Sequence, residues 1–289
     1  MAVTVTALNL AAIYSLVALG LAVTWAGLNF LNLAHGATFA LAGVAAALTA
    51  EHLSSSGPLV LLAGILVGAV CGGVVWLVIF LPLDGRSGWD VRSLTAGLGL
   101  SLIGTYGILQ FFGPASQPLP PLFGHWSITL AGTVVTADRV GAIASAAVVL
   151  PIVVIALAKT RLGLAVRTLS QNPEGARLVG INRTAVASAI LVSSGALAGL
   201  ASVLLAQTFY VSWQAGYTPL LEGMIVAILG GLGSIPGTIV AAVLMGATEA
   251  LTAQYINEGA VLLVQFAVIA VVLLVRPRGV AGVLEAVRA

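Results

Sequence analysis

Long apolar runs divided by short polar breaks account for nearly the whole chain. At about 20 residues per bilayer crossing, such runs read as transmembrane helices. The first is residues 7–28; the first fifty residues carry no charged side chain, and Glu51 is the first. Residues 36–50 are short for a crossing, which predicts a broken or tilted helix. Residues 59–81, 93–112, 138–158 and 184–206 are full-length crossings. Residues 222–237 are not: about a dozen residues separate Glu222 from Pro236, too few for an ordinary span. Residues 238–251 and 259–275 complete the set. The pattern predicts an all-α, polytopic transmembrane helical bundle of about eight to nine membrane segments, in one domain covering 1–289. The ten-residue alternating strands of a β-barrel do not appear.

The polar breaks orient these runs. The loop 159–183 holds Lys159, Arg161, Arg167, Arg177 and Arg183 against one acid, Glu174. A Lys/Arg excess between spans places it in the cytoplasm. Loops on the same side hold Arg86, Arg92, Arg276, Arg278 and Arg288, and only Arg139 falls at an outer helix start. Counting back, the N-terminus lies outside if residues 36–50 cross. It lacks a basic leader region, so residues 7–28 read as a first span and not a signal peptide. Residues 113–137, proline-rich and without Lys or Arg, form the largest external loop. Asp138 is expected to cap the helix that follows.

Three of the breaks have readable local structure. Within 159–183, Gln171-Asn172-Pro173 supplies a cap and a proline for the first helical position. Glu174 then sits in the first turn, followed by Gly175, Ala176 and Arg177, and Gly180 ends the helix before Ile181 and Asn182. One short amphipathic helix on the membrane face is the expected result, a shape suited to docking on a soluble partner. In the second break, Asn29, Asn32 and Gly36 share one helical face by their spacing. With His35 they either line a pathway or only connect and cap two helices; polar groups at membrane depth must face protein or water. The third, Gly230-Gly231-Leu232-Gly233-Ser234-Ile235-Pro236-Gly237, cannot be regular helix. Irregular backbone at depth is tolerated only when buried or beside a cavity, so Gly230, Gly231, Gly233 and Ser234 are pathway candidates as well.

Composition narrows the function. The 289 residues are 60% hydrophobic and 7% charged, with a mean hydropathy of +1.14, which no soluble domain tolerates. The formal net charge of +2 reflects inner loops and implies no nucleic-acid partner. Cys71 is the single cysteine, so neither a disulfide framework nor a thiol metal site is encoded. His35 has no second ligand nearby in sequence, so no metal is expected there. The glycine run is no phosphate loop, since neither a Lys-Ser/Thr nor a preceding strand accompanies it. No cofactor site, catalytic constellation or nucleotide site stands out. Only Glu222 and Glu249 are acids within the apolar segments, and both read as close to helix ends. The remaining polar lining is Asn, Gln, Ser, Thr, Tyr and glycine backbone, which passes a small neutral or zwitterionic solute without gripping it.

Three signatures in order carry a family resemblance: Leu33-Ala34-His35-Gly36 after Asn29, the 173–182 run, and the glycine run continuing to Glu249-Ala250-Leu251. Together they resemble the permeases of ATP-binding cassette (ABC) importers, and among these the branched-chain amino acid permease family, at the smaller of its two paired subunits. An acid often follows His-Gly in that family; here Ala37 stands there. The resemblance implies a type II-like importer architecture in the cytoplasmic membrane. It also implies a second, paralogous permease, two ATP-binding subunits at the cytoplasmic face with residues 171–177 and 180–182 as this chain's coupling element, and an external substrate-binding protein. The implied cargo is leucine, isoleucine and valine. Urea, short amides or aromatic amino acids would suit the same machine, and a secondary carrier acting alone is the reading from a different class.

Overall fold

The computed structural model describes residues 2–130 and 132–281; Arg288, counted above among the inner basic residues, lies outside them. The bundle is built around two helices, α1 (Ala2–Leu28) and α8 (Arg183–Ala206). In their apolar windows 61% and 72% of residues are buried, against 11% in α4 (Trp89–Phe112) and 17% in α5 (Ala137–Lys159). All four are apolar around their full circumference, so apolarity cannot decide which is central. Small residues decide it, because they let backbones approach.

The tightest crossing joins α3 (Gly57–Leu83) to α8. Gly64, Gly68 and Gly72 repeat every fourth residue and so share one face of α3. Gly195 and Gly199 meet them from α8. A Cβ on Gly68 would stand 2.2 Å from the Gly195 carbonyl oxygen, and one on Gly195 would stand 2.1 Å from that of Gly68. Near its inner end α3 passes through one π-helical turn, Trp76–Phe80. Helix α1 lies antiparallel to α10 (Ile235–Tyr255), with Gly246 set against Ala7 and Ala11. The last helix, α11 (Val261–Val275), follows a short turn at Glu258–Ala260 and lies at the edge. Seven helices among the described residues are long and apolar enough to cross a membrane. Helices α2 (His35–His52) and α9 (Tyr217–Gly230) add two more apolar segments, in agreement with the predicted eight to nine.

Helices α2 and α9 both begin inside the bundle. The His35 ring packs against Gly20 of α1 and lies near Ser194 of α8, while Gly36 abuts Gly216, just before α9. Residues 29–34 therefore run back from the inner end of α1 to the start of α2 without helical structure.

Several expectations need correction. Asn29, Asn32 and Gly36 do not share a helical face: α1 stops at Leu28, and Asn29 adopts a left-handed φ of 53°. The Asn32 side chain instead accepts the backbone N–H of Ala34 at 3.1 Å, closing a turn. Asp138 is not the cap of α5; Thr136 occupies that position, with Asp138 in the first turn. The external loop contains a two-stranded antiparallel hairpin, β1 (Ser127–Leu130) with β2 (Thr133–Thr136). Its β-branched residues, Ile128 and Thr129 before Gly132 and Thr133 to Thr136 after it, are the composition of a short hairpin that a proline-rich loop obscured. The inner loop carries two helices where one was expected, α6 (Arg161–Gln171) and α7 (Pro173–Leu178). Asn172 with extended backbone separates them, as a residue before proline prefers.

Candidate functional site

Two places combine accessible chemistry with a fixed frame: an inner face formed by α6 and α7, and a cavity in the outer half.

The inner face starts at Thr160, whose hydroxyl accepts Gly163 N–H at 3.2 Å and caps α6. Gly163, Val166 and Leu169 bury one side of α6 against the bundle, while Arg161, Leu164, Arg167 and Ser170 stay exposed. The spacing of three and four residues produces that division. Arg167 donates to the Ala158 carbonyl at 3.0 Å, tying α6 back to the end of α5. The chain then turns at Asn172, whose side chain accepts Gly175 N–H at 2.9 Å. Pro173 takes the first position of α7 and Glu174 its first turn, where the helix dipole favours an acid. Gly180, at φ 82°, ends α7. Ile181 N–H bonds the Ala176 carbonyl at 3.0 Å and Gly180 N–H bonds that of Arg177 at 3.1 Å, the paired pattern of a Schellman cap. Ala176 is fully buried and Ile181 packs on the same core cluster. Glu174, Arg177, Leu178 and Val179 project from this anchored base; Leu178 is 89% exposed and Val179 73%.

The far end of the loop is clamped. Asn182 caps α8 through Ala185 N–H at 3.1 Å. Arg183 pairs with Asp84 at 2.8 Å and lies over the Phe80 ring at 5.9 Å. Trp76 donates its indole N–H to the Thr184 carbonyl at 3.2 Å. The π-helical turn of α3 thus supplies Trp76 and Phe80, and the turn after it Asp84. These contacts join the base of the tip to α8 and α3.

The glycine run lies at this same inner end. Gly231 and Gly233 have φ of 95° and 86°, and Ser234 caps α10 by accepting Gly237 N–H at 3.3 Å. Gly230 and Gly237 are in backbone contact, where no side chain would fit. The carbonyls of Leu229 and Gly230 at the end of α9 accept from Val280 and Ala281 at 2.8 and 3.2 Å. The segment after α11 thereby satisfies a helix end that lipid could not. His35, also a pathway candidate, is fully buried between α1 and α8, with its Nδ1 3.5 Å from Ser194 Oγ. None of the eight proposed pathway residues borders the outer cavity.

That cavity, about 310 Å³, is bounded by α1, the start of α2, the outer ends of α8 and α10, the loop before α9, and the first turns of α9. Tyr14, Ser202, Thr218, Glu222 and Glu249 bring polar groups to it; Leu10, Phe39, Leu205, Phe209 and Val211 form much of its apolar wall. The Tyr14 hydroxyl donates to Glu249, and Gln265 of α11 donates to the same carboxylate oxygen at 3.1 Å. Glu222 and Glu249, far apart in sequence, border one space. Sequence spacing gives no means of bringing Tyr14, Glu222 and Glu249 together. The signal available was their rarity, since an acid in an apolar span marks a site by default.

Residues 3–273 match the family described as branched-chain amino acid transport system / permease component. The chain is 27% identical to the high-affinity branched-chain amino acid transport system permease protein LivH of Salmonella typhimurium, over 95% of this chain and 92% of that one. It is 26% identical to the corresponding permease protein BraD of Pseudomonas aeruginosa, over 96% and 94%. Among solved structures it resembles a chain of PsaBC from Streptococcus pneumoniae in complex with Fab, with a TM-score of 0.56 at 14% identity over 94% and 91%; that likeness concerns the fold alone. With a match running from α1 into α11 and all three signatures in order, the chain is a multi-pass membrane protein belonging to the branched-chain amino acid permease family of ABC transporters.

Proposed function

We propose that this chain is the permease subunit of an importer in the cytoplasmic membrane that carries leucine, isoleucine and valine inward, driven by partner ATPases. The observation that carries the reading is the inner tip at 173–182. It is a short helix capped at both ends, seated on a buried Ala176, and clamped to α3 through Arg183 and Asp84. Its outermost side chains are apolar and fit a groove on another protein rather than water. Two ATP-binding subunits dock at the cytoplasmic face of the assembly, one of them on this tip; a second permease completes the pathway across the bilayer, and an external binding protein delivers cargo. The relatives named for branched-chain amino acid transport, matched over nearly their whole length, favour this cargo.

Uptake into vesicles reconstituted with both permeases, the ATPases and the binding protein tests the cargo, with leucine, urea, lysine and glutamate compared at equal concentration. Leucine is expected to accumulate well above the other three. Preferential uptake of urea, lysine or glutamate overturns the cargo.

A further inference from the structure

One row of residues ties α3 to α8 along most of its length. Gly64, Gly68, Gly72, Trp76, Phe80 and Asp84 recur at every fourth position. In a regular helix such a row drifts by about 40° per step, so its two ends would face different neighbours. The π-helical turn at Trp76–Phe80, with its wider i→i+5 spacing, gives back part of that drift. All six residues meet α8, in antiparallel order. Gly64 lies against Val203 and Gly199, Gly68 against Gly195, and Gly72 against the Leu191 backbone. Trp76 donates to the Thr184 carbonyl, and Phe80 and Asp84 both reach Arg183.

The two ends of this contact differ in kind. Its glycine part is backbone against backbone, with no side chain free to yield. Its inner end is electrostatic. Arg183 is the first residue of α8, where the helix dipole disfavours a cation, and no acid stands in that first turn. Asp84, on the turn after α3, supplies the missing negative charge at 2.8 Å, with the two side chains only 23% and 15% exposed. Among the described residues no aligned donor reaches the Asp84 Oδ1 atom, so the attraction is that of two charges. The tip ends one residue before Arg183, and its Ala176 and Ile181 share a core cluster with Trp76 and Phe80. At the opposite end of α8, Ser202, Leu205 and Ala206 line the outer cavity. We propose that Asp84 and Arg183 are positioning residues for transport: their ion pair fastens the tip to the glycine-packed α3–α8 pair, which carries a displacement of the docked tip as one body to the wall of the outer cavity. This deepens the docking reading of the tip and rests on it.

Asp84→Asn keeps the shape of the side chain and removes its charge, Arg183→Gln removes the opposite charge, and Asp84→Arg with Arg183→Asp exchanges the two. Each is measured in vesicles holding the complete transporter, as solute moved per ATP hydrolysed, using the solute that wild type accumulates. The amount of ATPase retained is measured beside it. Both single variants are expected to retain ATPase and to lower the ratio by about threefold to tenfold, since a part-exposed ion pair contributes less than a buried one. The exchange is expected to recover at least half of that loss, because an acid at residue 183 also suits the dipole of α8. Where a charge variant fails to insert, Trp76→Phe, which deletes only the indole donor, is expected to lower the ratio in the same direction. An unchanged ratio in the single variants, an exchange no better than the worse of them, or lost ATPase with a normal ratio in the complexes that remain overturns the proposal. An unchanged ratio in Trp76→Phe does so where that variant stands in. Gly180→Val is run in parallel. Its uncoupling beside normal ion-pair variants removes only this proposal, and its normal transport beside uncoupled ion-pair variants removes the docking reading instead.

Discussion

Replacing Gly68 by alanine places a methyl carbon 2.2 Å from the Gly195 carbonyl oxygen and 3.0 Å from Gly199 Cα. An ordinary contact needs about 3.5 Å, so the two helices must separate by more than about 1 Å at that point. The obstacle is backbone on both sides, so no side chain can rotate aside. Gaps of that size forfeit a quarter to a half of the dispersion energy of the atoms concerned, and overpacking of this kind costs about 1–3 kcal/mol. Gly73→Ala is the control. It lies on the same helix, but its new carbon would meet only Val192 Cγ2, at 3.8 Å. Both substitutions gain the higher helix propensity of alanine, about 1 kcal/mol, and the comparison removes that gain. Unfolding of the purified variants in mixed micelles, against increasing denaturing detergent, reads the difference. Gly68→Ala is expected to unfold more easily than Gly73→Ala by about 1–3 kcal/mol. Equal stability of the two would refute the claim that backbone contact between α3 and α8 sets the centre of the fold.

Two further outcomes follow from the inner face. Single cysteines at Ser170 and Ser127, introduced after Cys71→Ala, are both exposed in the fold and are expected to react with an impermeant reagent from opposite sides of the membrane; labelling of both from outside contradicts the orientation. Gly180→Val forces a β-branched residue into φ 82° at a cost of about 1–2 kcal/mol, and Glu174→Lys opposes the dipole of α7. Both variants are expected to insert normally while ATPase assembly weakens or hydrolysis uncouples from uptake, and normal coupled transport in both argues against a docking role.

Local signals in the sequence proved dependable where one short stretch determines the outcome. Asn172-Pro173 and Gly180 fix the ends of α7 through backbone geometry alone, and the glycine run breaks the α9–α10 connection through Gly231 and Gly233. Apolar length located the spans. Regular helical spacing misled at Asn29, because a single left-handed residue ended α1 and removed the common face of Asn29, Asn32 and Gly36. The spacing of small residues at 64, 68 and 72 was visible, but its partner helix was not, since any apolar helix could have met it. The cavity was the least legible part. Its polar groups come from α1, α8, α9 and α10, and only tertiary packing brings Tyr14 and Glu249 within hydrogen-bond reach.

On the function proposed above, partner ATPases, one of them docked on the 173–182 tip, supply the energy that moves the solute. The direct measurement is leucine uptake into vesicles holding the complete transporter, with ATP supplied on the face of the α6–α7 loop and with ionophores that abolish proton and sodium gradients. Uptake is expected to require ATP on that face and to be indifferent to the ionophores. Uptake by the permease alone, without ATP and abolished when an ion gradient is dissipated, would contradict the account.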